Sequence, residues 1–175
     1  MSDVICYLAC RMTGRSKAAM VKEALEATAV LNKYGIIAIS PVLEEKIENK
    51  NEVLNVLSEK QLEKEWKKDK AAIKKCHVVF DLSSASPLRS EGAIHEFTFA
   101  RYALFKPVIR LFPKGLGFSV TRLENALIVR SIDEGARQIV KKYGSRRKRI
   151  FWRIRERIFL KWLKLIWLQF IGLFR

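Results

Sequence analysis

Five short runs of apolar, β-favouring residues alternate with segments of helical spacing, and this alternation constrains the fold more than any other feature. The runs lie at 4–9, 36–39, 78–82, 107–111 and 126–129, and the helical segments at 17–34, 58–75, 91–104 and 132–143. Strands buried on both faces are continuously apolar, and parallel strands need long crossover connections, usually helices. The sequence therefore predicts an α/β fold, with a five-stranded parallel sheet flanked by helices in a three-layer, flavodoxin- or Rossmann-like arrangement.

The first helical segment, 17–34, has a readable buried face and ends at Gly35, a stop signal. The residues expected to face the core are Val21, Ala24, Leu25, Thr28 and Leu31. The charged segment 44–55 has no clear pattern.

Positive charge is concentrated at the C-terminus. The chain has 34 Lys and Arg against 18 Asp and Glu, a formal net charge of +16. Segment 145–175 holds ten Lys or Arg and one acidic residue, Glu156, and so carries 10 − 1 = +9 of that charge. We expect one α/β domain at 1–144, a basic segment at 145–175, and an anionic partner such as a nucleotide, a nucleic acid or a lipid head group.

The three cysteines are odd in number, have no metal-ligand spacing and follow no secretory signal. This indicates a reducing cytosol, with the thiols as small buried residues. Neither a metal nor a cofactor is predicted.

The loop after the first strand is a candidate phosphate site. In parallel α/β sheets, ligands bind where the loops at the carboxyl ends of the strands converge. Here Arg11, Thr13, Gly14 and Arg15 lead into a helix N-terminus, whose free amides and dipole favour an anion. The pattern is neither a dinucleotide fingerprint nor a Walker loop, so an ordinary solvated turn remains an equal interpretation.

The loop after the third strand is a candidate reactive site. Ser90 and Gly92 begin a helix, and Glu96 lies about one turn further on, on the side of Gly92. A small glycine lets a ligand approach closely. Taken alone, an acidic residue near a helix N-terminus is also a common dipole partner.

Several motifs occur in an order that resembles the nucleoside 2-deoxyribosyltransferase-like superfamily, over roughly residues 4–111. They are Tyr7-Leu8-Ala9, Met12-Thr13-Gly14, Ser40-Pro41, Trp66 with Asp69, Cys76-His77-Val78-Val79, Ser90-x-Gly92-x-x-x-Glu96 with Ala100, and Lys106-Pro107-Val108-Ile109. Ser90 is similar to the branch of deoxynucleoside 5′-monophosphate N-glycosidases, because the transferases usually carry Asp six residues before the glutamate. A hydroxyl there suits a phosphate that a carboxylate would repel.

The resemblance implies roles for these residues. Glu96 would be the nucleophile that attacks the sugar C1′ and forms a glycosyl-enzyme ester, as in retaining glycosidases. Asp69 would be the acid at the leaving base, and Tyr7 would position Glu96 or the sugar. The phosphate would be held by Ser90 and the loop from Arg11 to Arg15.

The resemblance also implies a homodimer or a higher oligomer, with Ser119 reaching the neighbouring subunit's phosphate site. This chain departs from the superfamily pattern at three positions. Cys10 and Arg11 replace a small Gly and the Pro or Ser that usually follows it, and His77 replaces a common Asp. The bulky Arg11 would narrow the base pocket and leaves the substrate class open.

The C-terminal segment has the pattern of a basic amphipathic helix. Its basic stripe lies beside an aliphatic and aromatic stripe, and the uncharged run from 165 to 174 is shorter than the about 20 residues that cross a bilayer. We therefore expect an in-plane helix on an anionic membrane, through Arg149, Trp152, Arg153, Arg157, Lys161, Trp162, Lys164 and Trp167. An oligomer-forming helix is the main alternative, and nucleic acid is disfavoured because large aliphatic residues flank the basic ones.

These features predict a cytoplasmic protein, peripherally associated with a membrane, that cleaves or transfers at the N-glycosidic bond of a nucleoside or nucleotide. Two alternatives stay open. The domain could be a catalytically inactive nucleotide sensor, because Cys10 and Arg11 alter the first loop. The chain could also be a membrane-active or assembly protein in which the basic helix is the functional part.

Overall fold

Five parallel strands form one sheet in the computed structural model, which describes residues 4–10, 15–44, 59–82, 91–112 and 127–145, with Ile150, Ile154 and Ile158 beyond them. The elements in chain order are β1 (Val4–Ala9), α1 (Lys17–Lys33), β2 (Ile36–Ile39), α2 (Pro41–Glu44), α3 (Glu59–Lys75), β3 (Val78–Asp81), α4 (Glu91–Thr98), a π-helix (Phe99–Ala103), β4 (Val108–Leu111), β5 (Leu127–Val129) and α5 (Ile132–Tyr143).

The strand order is β2-β1-β3-β4-β5, and every neighbouring pair is parallel. The chain leaves β2 and returns on the other side of β1, so the order reverses between β1 and β3. In this register Tyr7 lies opposite Val79, and Asp81 lies opposite Arg110. The predicted α/β fold with five parallel strands is confirmed.

The two faces of the sheet bury separate cores. One face packs against α1 and α5 through residues that include Leu8, Phe80, Leu31 and Ile139. The other packs against α3 and α4, and its core residues include Tyr7, Val79, Ile73, Ala93 and Phe97. Because side chains alternate along each strand, odd-numbered β1 and β3 positions contribute to this second face.

Gly135 lets α5 approach the sheet closely. A Cβ atom added at this position would lie 2.5 Å from Cζ of Phe80, whose ring is fully buried. Any larger residue would therefore push the helix or the ring away from the packed core.

Helix α1 forms as predicted but buries a different stripe. Ser16 caps it by accepting a hydrogen bond from the Ala19 amide, and Gly35 follows the helix at φ +68°. The buried residues are Met20, Ala24, Ala27 and Leu31. Leu25 is 54% exposed, so its predicted core position is wrong. The helix is rotated so that Met20 and two alanines, which fit close to the sheet, face the core.

The helix predicted over 91–104 changes its hydrogen bonding part-way. It is α-helical to Thr98 and π-helical from Phe99 to Ala103. Phe97 and Ala100 remain buried, as predicted, while Leu104 is only partly buried. A further short helix, α2, follows β2 and ends at Glu44, where the segment without a clear sequence pattern begins.

Within the residues that the structure describes, no helix is long and apolar enough to cross a membrane. Most of the predicted amphipathic helix, including its named basic and tryptophan residues, lies outside the described residues. Ile150, Ile154 and Ile158 are described there, and all three are helical and exposed. The division into a domain at 1–144 and a tail at 145–175 stays a prediction.

Candidate active site

Three sequence-predicted residues meet on the α3/α4 side of the sheet. Tyr7 comes from β1, Asp69 from the middle of α3 and Glu96 from the sixth position of α4. The order of the sheet reverses beside β1, and such a reversal is where ligands bind in open parallel sheets. The structure thus brings together residues that are up to 89 positions apart in the sequence.

The carboxylate of Glu96 is buried, with the residue only 7% exposed. Among the described residues, neither Glu96 Oε2 nor Tyr7 Oη has a hydrogen-bond partner of good geometry. The two groups are nevertheless close enough to perturb each other's pKa. A buried polar atom without a partner is costly, and such atoms deserve a functional explanation.

Burial and neighbouring negative charge raise the pKa of both Glu96 and Tyr7. Burial is the main cause that raises the pKa of Glu96 well above its ordinary value, followed by the charge of Asp69. The Tyr7 hydroxyl acts in the opposite sense on Glu96 and lowers its pKa. Burial, and then the charges of Glu96 and Asp69, raise the pKa of Tyr7, which therefore stays a neutral hydrogen-bond donor at physiological pH.

This arrangement can carry out acid–base and nucleophilic chemistry. Glu96 and Asp69 are two carboxylates in different surroundings, one buried and one half-buried. Paired carboxyl groups with different environments can divide the parts of acid and nucleophile between them. Tyr7 supplies a donor that can hold either carboxylate in place.

The start of the first loop also reaches this region. Cys10 follows β1 directly and is buried, and burial, then the charges of Glu23 and Glu96, raise its pKa. Arg15, a predicted phosphate ligand, forms an ion pair with Glu23 of α1. The guanidinium therefore lies near the carboxyl end of β1, held by a carboxylate.

Of the other predicted phosphate ligands, only Gly92 lies within the described residues. Gly92 is exposed in the first turn of α4, four residues before Glu96. The remaining ones, Arg11, Thr13, Gly14, Ser90 and Ser119, lie outside the described residues.

Three polar residues near the carboxyl edge of the sheet were not among the predicted site residues. Asp81 ends β3 and forms a buried ion pair with Arg110 of β4, at 2.9 Å between Nε and Oδ2. The guanidinium also lies over the Phe97 ring, 4.7 Å from its centroid. Ser40, which follows β2, is buried, and its Oγ has no hydrogen-bond partner among the described residues.

Two aromatic neighbours of the site have packing roles. Trp66 contacts Phe99 edge-on, with 5.6 Å between ring centroids, and His95, at 6.4 Å. Lys70 lies over the Trp66 ring. His95 is exposed.

In the described ranges, no group of three or more His, Cys, Asp or Glu side chains is arranged to hold a metal ion.

Fold and site define a class of protein. It is an α/β protein with five parallel strands and a buried glutamate beside the point where the strand order reverses. Neither family models nor curated proteins match the chain. Solved structures do match. The 2-deoxyribosyltransferase from the psychrotolerant bacterium Bacillus psychrosaccharolyticus is 20% identical, with a TM-score of 0.56, over 76% of this chain and 90% of that chain.

A conserved protein from Enterococcus faecalis V583 is 13% identical, with a TM-score of 0.59, over 80% of this chain and 99% of its own. The CMP N-glycosidase BcmB of Clostridium botulinum is 19% identical over 77% of this chain and 97% of its own, but its TM-score of 0.46 is too low to support an argument. The chain thus shares its fold with a 2-deoxyribosyltransferase, as the resemblance to the nucleoside 2-deoxyribosyltransferase-like superfamily predicts.

Proposed function

We propose that the protein cleaves or transfers at the N-glycosidic bond of a nucleoside or nucleoside 5′-monophosphate, with Glu96 as the nucleophile. The observation that carries this proposal is the convergence of buried Glu96 with Tyr7 and Asp69 on one face of the sheet. The fold shared with a 2-deoxyribosyltransferase supports the same class of reaction.

In the first step, Glu96 attacks C1′ while the bond from C1′ to the base nitrogen breaks. The electron pair of that bond goes to the base, and Asp69 donates the proton that makes the base a better leaving group. The transition state resembles an oxocarbenium ion, which the buried carboxylate stabilises electrostatically. The product is a glycosyl ester on Glu96.

In the second step, water or another base attacks C1′, and the ester bond to Glu96 breaks. Asp69 accepts the proton of the incoming group, by the same exchange of acid and base parts as in retaining glycosidases. Tyr7 can donate a hydrogen bond to Glu96 as the charge of this carboxylate changes.

The proposed phosphate site comprises Ser90, Gly92, Arg11, Thr13, Gly14 and Arg15, with Ser119 serving a neighbouring subunit in a homodimer or higher oligomer. Gly92, exposed four residues before Glu96, supports close approach of the substrate to α4. The Glu23 carboxylate pairs with Arg15, so a phosphate must share or displace this partner.

The test is release of free base. We would incubate the protein with each deoxynucleoside 5′-monophosphate, the matching nucleosides and nicotinamide dinucleotide, and separate the products by chromatography. Glu96→Gln should lower base release by at least roughly 1000-fold, since it removes the nucleophile. The matched control, Glu26→Gln, changes an exposed glutamate on α1 and should keep full activity.

A second observable is the covalent intermediate. Mass spectrometry of the acid-quenched enzyme should show one added glycosyl group, on the peptide that contains Glu96. Base release that persists in Glu96→Gln, or a glycosyl group on another residue, would contradict the assigned nucleophile.

Cys10 favours a second candidate function. Its side chain is buried and lies near the charge of Glu96, at a position where superfamily members usually have a small Gly. In this alternative, the domain binds a nucleotide without turning it over. Calorimetry would then show binding of a monophosphate to both wild type and Glu96→Gln, with no base released by either.

We also propose that the reaction takes place at an anionic membrane surface. The helical residues Ile150, Ile154 and Ile158 recur every four positions and are 49%, 52% and 63% exposed, and Arg and Lys outnumber acids ten to one around them. Such a helix binds anionic lipid through its apolar face and its charge. Deleting 145–175 should abolish pelleting with phosphatidylserine vesicles at low salt, and equal pelleting of both forms would exclude tail-driven binding.

A further inference from the structure

Asp81 and Arg110 form the best-buried ion pair among the described residues, and they lie on the face that holds the proposed reactive group. Their side chains are 0% and 7% exposed. They are also partners in the β3–β4 register, so both point to one side of the sheet. This side is that of Tyr7 and α4, because the Arg110 guanidinium lies over the ring of Phe97.

The pair bridges the sheet to the helix that carries Glu96. Arg110 forms an ion pair with Asp81 on the neighbouring strand. Its guanidinium also lies over the ring of Phe97, which is the residue next to Glu96. A desolvated cation over an aromatic ring contributes attraction in addition to the ion pair. The two contacts fix the position of α4 relative to the end of β3.

One member of the pair is also among the charged groups near Glu96. Within the described part of the chain, the titratable groups that influence Glu96 or are influenced by it are Tyr7 of β1, Asp69 of α3, Asp81 of β3 and Cys10 after β1. Burial, then Asp69, and also Asp81, raise the pKa of Glu96. Arg110 forms an ion pair with Asp81, so its removal would strengthen the effect of the Asp81 charge on Glu96.

We infer that Arg110 is a positioning residue, which neutralises Asp81 and anchors Phe97 so that Glu96 can ionise in its buried place. This inference rests on the proposed function, in which ionised Glu96 is the nucleophile. It makes Arg110 and Asp81 a matched pair whose separate removal has opposite electrostatic effects on the same carboxyl group.

The experiment measures the titration of Glu96 directly, by carboxyl-carbon NMR on protein labelled with ¹³C-glutamate, with the signal assigned from its loss in Glu96→Gln. Arg110→Met removes the positive charge beside Asp81, and the midpoint should rise by about one pH unit. Asp81→Asn removes the negative charge and keeps the cation, and the midpoint should fall by a similar amount. The double variant D81N/R110M should return it close to the wild-type value.

A merely structural ion pair predicts a different pattern. Breaking it from either side would then destabilise the domain similarly and move the midpoint in one direction or not at all, which would overturn the inference. If Arg110→Met fails to fold by circular dichroism, Asp81→Asn and the double variant still decide, and Arg110→Lys should keep the wild-type midpoint because it keeps the charge.

The pH dependence of base release is measured on the same variants and compared with the NMR midpoints. The acidic limb of kcat/KM against pH should move with the NMR midpoint in each variant. Opposite NMR shifts in a protein that releases no base would support the electrostatic pairing and refute the proposed reaction. Base release with no NMR shift would support the proposed reaction and refute the electrostatic pairing. A failure of the inference and a failure of the proposed function are therefore distinguishable.

Discussion

The burial of Glu96 predicts that this residue destabilises the folded protein at neutral pH. The carboxylate is only 7% exposed, and its Oε2 has no hydrogen-bond partner among the described residues. An unsatisfied buried polar group costs about 1–3 kcal/mol, and a charged one costs more. Glu96→Gln removes the charge and keeps the shape, so we expect it to raise the free energy of unfolding by about 2 kcal/mol at pH 8.

The gain should depend on pH with a definite sign. Folding raises the pKa of Glu96 above its ordinary value of 4.5, so the folded protein binds this proton more tightly than the unfolded chain does. Relative to Glu96→Gln, wild type is therefore most stable below the pKa of the unfolded chain, and it loses stability as the pH rises through the higher folded pKa. The two proteins should be of similar stability at pH 4 and differ most at pH 8.

The assays are urea unfolding and thermal unfolding, both followed by circular dichroism at several pH values. For a domain of this size, 2 kcal/mol corresponds to a rise in Tm of about 4–8 °C at pH 8. Glu26→Gln, at an exposed position of α1, is the control and should change stability by less than about 0.5 kcal/mol. A difference between wild type and Glu96→Gln that is constant with pH, or a less stable variant at pH 8, would refute the reasoning.

Three more predictions follow from described contacts. Tyr7→Phe removes the hydroxyl that lowers the pKa of Glu96, so the acidic limb of the activity profile should move to higher pH; an unchanged limb would mean that the hydroxyl does not stabilise the carboxylate. Gly135→Val should reduce the free energy of unfolding by about 2–3 kcal/mol in urea titrations, whereas Ala29→Val, at an exposed position of α1, should cost less than about 1 kcal/mol. Burial raises the pKa of Cys76 to about 11, so this thiol should resist an aromatic disulfide reagent at pH 8 until urea unfolds the domain, and rapid labelling of the native protein would contradict its burial.

The strands were predictable because burial on both faces leaves a direct trace in the sequence. The observed bounds of β2 match the predicted run, and those of β3, β4 and β5 are each one residue shorter. The rotation of α1 was not predictable in the same way. Stripes through Met20 or through Val21 are both apolar, and only the close fit of small alanines against the sheet selects the first.

The carboxylates of the site were found through the order of motifs along the chain. Glu96, Asp69 and Tyr7 each sit in a short pattern, and the fold then brings them to one face. The Asp81–Arg110 pair was missed because it depends on the register of β3 with β4, which no local pattern encodes. The available signal was that two of the apolar runs each have one charged residue near their end, and that these two residues, Asp81 and Arg110, have opposite charges.

The buried ion pair has a consequence for the order in which the domain is made. Arg110 follows Asp69, Asp81 and Glu96 in the chain, so a polypeptide emerging from the ribosome exposes all three acids before the cation that pairs with Asp81. Domains fold as units during synthesis, and acids crowded together without a counterion would favour an open arrangement. The region around Glu96 would therefore reach its folded arrangement only after β4 has been translated.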